Sequence, residues 1–93
     1  MTRTEFEAEA SQGAYAAPVE VTKPLGYNMG GHDHPFDAFA YITAGHIDIG
    51  VDGVVKRYAV GDVFRVPRNT WHTESAIAEG VTYLAARRQA QPA

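Results

Sequence analysis

The chain of 93 residues contains no cysteine, so disulfides, thiolate metal sites and a thiol nucleophile are excluded. A small fold that needs no disulfide suits a reducing compartment. No apolar stretch approaches the roughly 20 residues that span a bilayer. The first ten residues, MTRTEFEAEA, are polar and acidic and lack the apolar core of a signal peptide. We therefore expect a cytoplasmic protein with no membrane partner.

Basic residues are few and scattered along the chain. Eight lysines and arginines stand against eleven acidic residues, which gives a formal net charge of −3. Nothing in the sequence resembles the basic stripe that duplex binding requires, so nucleic acid is not an expected partner. The length leaves room for a single domain over residues 1–93, near the lower limit for independent stability.

Short runs of apolar and β-branched residues recur at intervals of roughly 8–12 residues, a pattern typical of an all-β sandwich or barrel. Glycine or proline ends most of these runs, and the glycines and proline of residues 24–31 predict turns. Asp52-Gly53 is the strongest hairpin signal in the chain. We expect a barrel over about residues 18–88, with strands near 19–23, 38–44, 47–51, 54–58, 63–66, 71–75 and 81–86.

A short helix is predicted before the strands, at about residues 4–12. Thr4 and Glu7 have the spacing of a capping box, in which the threonine hydroxyl accepts from the amide three residues later. Phe6 and Ala10 share one face of this helix, and Gly13 is a suitable end. Residues 89–93 are expected to form a loose tail.

The four histidines of the chain carry its clearest chemical signal. In a strand, residues i and i+2 point to the same face, so the imidazoles of His32 and His34 can share one ion. His72 follows a predicted turn at residues 67–70 and is the third candidate ligand. A His-x-His pair alone is a weak signal, because two surface histidines beside a glycine-rich loop give the same pattern.

Two spaced motifs strengthen this signal. The run from Gly26 to Gly45, with the pattern G-x5-H-x-H and a later glycine, resembles the first motif of the cupin superfamily. The run from Gly61 to His72, with the pattern G-x5-P-x-N-x2-H, resembles the second motif. The segments HDHPFDAFAYITAG, GDVFRVPRNTWH and EGVTYLAARR are similar to small stand-alone cupins. The resemblance covers about residues 19–88.

This resemblance implies an all-β fold, the double-stranded β-helix or cupin jelly-roll barrel, with a short N-terminal helix. It also implies that His32, His34 and His72 are metal ligands. Neutral imidazoles suit Zn, Fe, Ni and Cu, and three ligands leave positions open for water or substrate. We therefore expect one divalent transition metal (Zn, Fe, Ni, Cu or Mn). The alternative is a cupin whose histidines bind no metal.

The sequence departs from the family pattern at the fourth ligand. A glutamate usually follows the second histidine of the first motif, but the corresponding position here is Ala38, and no glutamate lies between His34 and Gly45. Asp37 is the nearby carboxylate, one residue early, and a regular strand would turn it to the other face. A bend beside Pro35 would keep Asp37 at the site, so it is the candidate catalytic carboxylate.

Alternation along this strand also predicts the two faces of the barrel wall. If position 38 faces inward, Ala38 and Ala40 leave space for a substrate cavity, unless larger side chains fill it. Phe39 and Tyr41 then face outward and present an apolar surface. We expect this surface to form a homodimer. The alternative is that the N-terminal helix or strand packs there within one chain.

The fold alone does not determine the activity, because cupins include enzymes of many classes and non-catalytic sensors. The leading interpretation is a metal-dependent enzyme, dioxygenase-like, isomerase or lyase, acting on a small metabolite. The alternative is a non-catalytic module that binds or senses a small-molecule ligand. A purely structural dimer is the weakest of the three, because three histidines stand at ligand spacing.

Overall fold

Seven strands follow one helix in the computed structural model, which describes residues 1–90. This order confirms the predicted all-β fold class. Among residues 1–90, no helix is long and apolar enough to cross a bilayer. The elements are α1 (Arg3–Gln12), β1 (Val19–Lys23), β2 (Tyr27–His32), β3 (Phe36–Val51), β4 (Val54–Ala59), β5 (Val63–Val66), β6 (His72–Ala76) and β7 (Val81–Gln89).

The longest strand, β3, passes from one sheet to the other. Its first half pairs with β5 and β7, and its second half pairs with β4 and β6. β1 extends the first sheet at β7, and β2 extends the second at β6, with every pairing antiparallel. The predicted Asp52-Gly53 hairpin joins β3 to β4, and its φ values of 52° and 78° suit this tight turn. The result is the double-stranded β-helix.

Gly45 bends β3 where the sequence predicts a break between two strands. The strand register shifts between Ile42 and Ala44, and Gly45 has a φ of 68°. A Cβ atom at this position would lie 2.2 Å from the carbonyl oxygen of Gly80. The glycine therefore permits a positive φ and a close backbone approach beside the bulge without ending the strand. The prediction of two separate strands was wrong for this reason.

Residues 27–32 form β2 where the sequence predicts turns. The strand pairs with β6, and its register shifts between Met29 and His32 because Gly30-Gly31 forms a bulge. Adjacent glycines have low strand propensity, yet glycine is well suited to a bulge. Cross-strand pairing with β6 therefore overrides the local turn signal.

The helix begins one residue earlier than predicted because a different threonine caps it. The Thr2 hydroxyl accepts from the Glu5 amide at 3.1 Å, and the Glu5 carboxylate accepts from the Thr2 amide at 2.9 Å. The sequence contains the Thr-x-x-Glu spacing twice, so the predicted pairing of Thr4 with Glu7 was wrong. Glu7 instead forms an ion pair with Arg3 at 3.0 Å.

The helix packs on the outer face of the barrel wall and creates a second, smaller core. Phe6 and Phe39 are both 0% exposed, and their ring centroids lie 4.7 Å apart. The Phe6 ring also stacks on Tyr41, with the centroids 5.6 Å apart. The argument for a dimer from exposed Phe39 and Tyr41 is therefore wrong, because α1 covers them within one chain.

The end of the chain is ordered further than the sequence predicts. Gln89 pairs with Phe36 at the end of β7, so the expected loose tail does not begin at residue 89. Residues 91–93 of that predicted tail lie outside the described residues.

Candidate metal centre

A cavity of about 200 Å³ lies between the two sheets, on the inner side of β3. Ala38 and Ala40 line it, as the alternation along β3 predicts. Phe36 and Phe64 also contribute to its wall but do not fill it. The remaining lining includes three histidines, one glutamate, two tyrosines and two basic residues: His32, His34, His72, Glu74, Tyr27, Tyr83, Lys23 and Arg87.

Three imidazole rings converge at one end of this cavity. The ring centroid of His72 lies 4.3 Å from that of His32 and 5.0 Å from that of His34. His32 and His72 are register partners on β2 and β6. His34 lies beyond the end of β2, so the predicted strand geometry of the His-x-His pair was wrong for its second member. The structure still brings all three rings together.

Backbone carbonyls fix the same tautomer in all three histidines. The Nδ1 atom lies 2.9 Å from the Gly30 oxygen in His32, 3.0 Å from the Phe36 oxygen in His34 and 2.8 Å from the Thr70 oxygen in His72. A carbonyl oxygen can only accept, so each Nδ1 must carry the proton. In the neutral rings Nε2 then keeps its lone pair, which is the state that a metal ligand requires.

Glu74 adds a carboxylate to this cluster, and the sequence reasoning missed it. Its Oε2 atom lies 3.0 Å from His32 Nε2 and 3.6 Å from His72 Nε2. The ligand atoms of His32, His72 and Glu74 all lie within 4.8 Å of one another, a group that does not include His34. Glu74 stands two residues after His72 on β6, so the i, i+2 rule applied to the His pair would have found it.

The glycine bulge in β2 shifts the register of β2 against β6 and so brings these side chains together. Met29 lies opposite Glu74, and His32 lies opposite His72. On β2 His32 follows Met29 by three residues, whereas on β6 Glu74 follows His72 by only two. The extra residue of the bulge makes this possible. At Gly31 a Cβ atom would lie 2.4 Å from the Trp71 indole nitrogen, so any larger residue would displace that ring.

The turn at residues 67–70 holds two of the histidines. Its Asn69 amide donates to the backbone oxygen of His34 at 2.8 Å. Its Thr70 oxygen accepts from His72, as described above. Asn69 has a φ of 61°, a left-handed conformation that asparagine tolerates better than most residues. The ring of His34 is further held by a parallel stack on Phe36, with the centroids 4.1 Å apart.

Asp37 lies on the opposite face of β3 from Ala38. It is part of regular strand pairing with Arg88, so the bend that would keep it at the site is not formed. Its carboxylate accepts from the Arg68 amide at 2.9 Å, from the Arg68 guanidinium at 2.9 Å and from Arg88 Nε at 3.0 Å. These hydrogen bonds, those from Arg68 above all, hold the pKa of Asp37 well below its usual range. This placement does not support the predicted catalytic role.

The contacts of Asp37 reach the histidines indirectly. Asp37 binds the backbone and side chain of Arg68, the second residue of the 67–70 turn. Arg88 ties the same carboxylate to the end of α1, because its Nη1 donates to the Gly13 oxygen at 2.9 Å. Asp37 thus fastens the turn that contacts His34 and His72 to the outer side of the barrel.

Two tyrosines supply hydroxyl groups to the cavity wall. Burial raises the pKa of Tyr83, and the negative charge of Glu74 raises it further. The same two causes, in the same order, raise the pKa of Tyr27. Both phenols are therefore neutral at physiological pH and can donate a hydrogen bond but not act as bases. Tyr27 currently donates to the sulfur of Met29 at 3.7 Å.

The family relationship of the chain follows from its sequence as well as its fold. Residues 19–84 match the family model described as Cupin domain. The chain belongs to the cupin domain family. A sequence comparison with curated proteins finds no match.

Solved structures with the same fold include proteins of several kinds. The conserved SPY1581 protein of unknown function from Streptococcus pyogenes has a TM-score of 0.70 and 25% identity, over 78% of this chain and 63% of that one. An RmlC-like cupin from Shewanella frigidimarina has a TM-score of 0.64 and 26% identity, over 75% and 63%. The DMSP lyase DddQ from Ruegeria pomeroyi has a TM-score of 0.68 and 23% identity, over 80% and 38%. This cupin therefore spans less than two thirds of each.

The donor set of this cupin fits a divalent transition metal. Three imidazoles whose Nδ1 atoms bind backbone carbonyls leave their Nε2 atoms as borderline donors, and one carboxylate adds a hard oxygen donor, a combination that Zn, Fe, Ni, Cu and Mn accept. A Mg²⁺ or Ca²⁺ site would need mainly oxygen donors. The carboxylate expected at Ala38 is absent, but Glu74 brings one to the cluster from β6.

Proposed function

We propose that this cupin is a metal-dependent enzyme acting on a small oxygen-bearing metabolite in the barrel cavity. His32, His34, His72 and Glu74 would hold a divalent transition metal. The observation that carries this proposal is the convergence of three tautomerically fixed imidazoles and one carboxylate on a cavity of about 200 Å³. When bound, the ion would supply Lewis-acid or redox chemistry to a substrate oxygen.

The residues of the cavity divide the remaining work. Glu74 gives negative charge to the metal end beside the histidines. Tyr27 and Tyr83 can orient a substrate through their hydroxyl groups. The apolar wall formed by Phe36, Ala38 and other residues excludes water around a small molecule. Dioxygenase-like, isomerase and lyase chemistry are all compatible with this arrangement.

A ligand-binding or sensory module is the second candidate, and one observation favours it. Among the described residues that line the cavity, Glu74 is the one carboxylate, and the raised pKa values of Tyr27 and Tyr83 make them poor bases. If Glu74 is a metal ligand, little remains to move a proton. Turnover of small hydroxy acids, oxo acids and sugars by metal-loaded protein, followed by NMR, distinguishes the two candidates.

The metal content of protein purified without chelator tests the proposal. Elemental analysis should find about one transition-metal ion per chain in the wild type and much less in His34→Ala. His46→Ala is the matched control, because His46 lies outside the cluster and should leave the metal content unchanged. Equal and near-zero metal in the wild type and His34→Ala would overturn the proposed function.

A homodimer and a cytoplasmic location stay predictions. Because α1 covers Phe39 and Tyr41, a dimer would have to use another surface. Light scattering at micromolar concentration should give about twice the chain mass of 10.1 kDa. A strict monomer would contradict the prediction.

A further inference from the structure

One arginine of the cavity wall is linked to the metal end by a stack of three flat groups, with Phe36 between Arg87 and His34. The Phe36 ring lies parallel to the His34 ring, with an interplanar angle of 2°. The guanidinium carbon of Arg87 lies 4.2 Å from the centroid of the same Phe36 ring. Arg87 is on β7 opposite Ala38, and both residues line the cavity. The stack therefore holds the guanidinium at a fixed distance from the imidazole of a candidate ligand.

Arg87 differs from the other arginines in its charge partners. The other five each lie within 4 Å of a carboxylate: Arg3, Arg57, Arg65, Arg68 and Arg88. Within residues 1–90, Arg87 has no carboxylate at that distance. A guanidinium that lines a cavity without a protein anion has its planar N–H donors available for a ligand. We take this unmatched charge as the feature that selects the ligand.

We propose that Arg87 binds a carboxylate group of the substrate, so that the cavity takes a short-chain organic acid. The inference rests on the proposed function, because a second oxygen of the same molecule would bind at the metal end, two stacked layers away. The planar fork of one guanidinium matches one carboxylate in two parallel hydrogen bonds. The small cavity volume restricts the ligand to a few carbon atoms between these two groups.

The negative charge of Glu74 should make this binding weaker without the metal than with it, although Arg87 contributes in both states. In the metal-free cavity Glu74 repels a second anion, whereas a divalent ion reverses the local charge. Lys23 also lines the cavity, but its ammonium lies over the Tyr27 ring at 5.1 Å, and Lys23 pairs with Val81 at the opposite end of β7 from Arg87. Loss of Lys23 therefore removes one positive charge from the cavity but leaves the Arg87 guanidinium stacked on Phe36.

Calorimetric titration with malonate, succinate and glutarate, and with the uncharged diamide of each, tests the proposal. In Zn²⁺-loaded protein, Arg87→Gln should lower the affinity for the tightest-binding of the three acids by about tenfold or more. Each diamide should bind to the wild type and to Arg87→Gln with equal affinity. Arg65→Gln is the matched control, because Arg65 stacks on Phe39 at 4.5 Å but on the outer face. It should bind as the wild type does, and Lys23→Gln should lose clearly less than Arg87→Gln.

A separate Zn²⁺ titration distinguishes failure of this inference from failure of the proposed function. Arg87→Gln should bind Zn²⁺ as the wild type does. If the wild type binds no Zn²⁺, the proposed function fails, and the acids are then compared on metal-free protein, where Arg87→Gln must still bind more weakly. Equal acid affinities for wild type and Arg87→Gln, an equal loss in Lys23→Gln, or no acid binding to the wild type would each overturn the role of Arg87.

Discussion

Two carboxylates on paired strands of the barrel have opposite surroundings. Asp37 on β3 faces the outer side, where Arg68 and Arg88 surround it. Glu74 on β6 faces the cavity, where its nearest partners are the imidazoles of His32 and His72. Asp37 is 12% exposed as a side chain and Glu74 is 13%, so burial does not distinguish them.

The difference lies in the charge of the neighbours. Arginines are always charged, so they neutralise Asp37 permanently and leave it a structural role. Histidine carries no permanent charge, so the neighbours of Glu74 do not neutralise it in the way that the arginines neutralise Asp37. The outer cluster of Asp37, Arg68 and Arg88 therefore stabilises the barrel wall. The inner cluster, Glu74 with its histidines, has donor atoms that a metal ion could bind.

Removing the outer apolar core should damage stability most and leave the inner cluster unchanged. Phe6→Ala should lower the free energy of unfolding by about 3 kcal/mol, because it empties the core between α1 and the wall. Leu25→Ala, at a 71% exposed position, is the control and should change little. Urea denaturation measures both. If Phe6→Ala also abolished Zn²⁺ binding by folded protein, the two regions would not be independent.

The outer carboxylate should contribute less than Phe6 but more than an exposed ion pair. Asp37→Ala should lower the free energy of unfolding by about 2 kcal/mol, because two arginines and the 67–70 turn lose their shared acceptor. The matched control is Asp48→Ala, since Asp48 accepts from Arg57 on a more exposed surface. Equal losses of unfolding free energy in Asp37→Ala and Asp48→Ala, measured by urea denaturation, would mean that the outer cluster adds no more stability than an exposed ion pair.

The pH dependence of stability should report the same cluster with a smaller effect. The folded-state pKa of Asp37 is lowered, so its stabilisation is complete above the ordinary aspartate pKa and is lost as the pH falls below about 4. The difference in unfolding free energy between wild type and Asp37→Asn should therefore shrink by about 1 kcal/mol from pH 5 to pH 3. A difference that stayed constant, or grew, in acid would contradict this cause.

The parts of the fold that depend on local signals could be predicted from the sequence. The Asp52-Gly53 turn needs two left-handed residues in succession, and few other pairs supply them. Alternation along β3 places Ala38 in the cavity and Asp37 on the other face because a strand has a period of two. The continuity of β3 through Gly45 and the strand character of β2 arise from pairing with distant strands, which local propensity does not contain.

The same distinction between local signals and contacts of distant residues applies to the candidate site. The motifs located the three histidines, and the spacing of His72 and Glu74 already contained the fourth donor. The partners of Asp37 could not be predicted, because Arg68 and Arg88 are 31 and 51 residues away in sequence. Only the folded barrel shows that those arginines occupy its carboxylate.

Zn²⁺ affinity, measured by calorimetry on wild type, Glu74→Gln and Asp37→Asn, tests the central claim most directly. We predict that Glu74→Gln lowers the affinity by about 100-fold or more, since it removes the anionic donor from the cluster. Asp37→Asn, which removes one carboxylate from the outer face, should lower it by less than about tenfold while reducing stability. Wild-type affinity in Glu74→Gln, or a loss in Asp37→Asn as large as in Glu74→Gln, would contradict the division of roles between the two carboxylates.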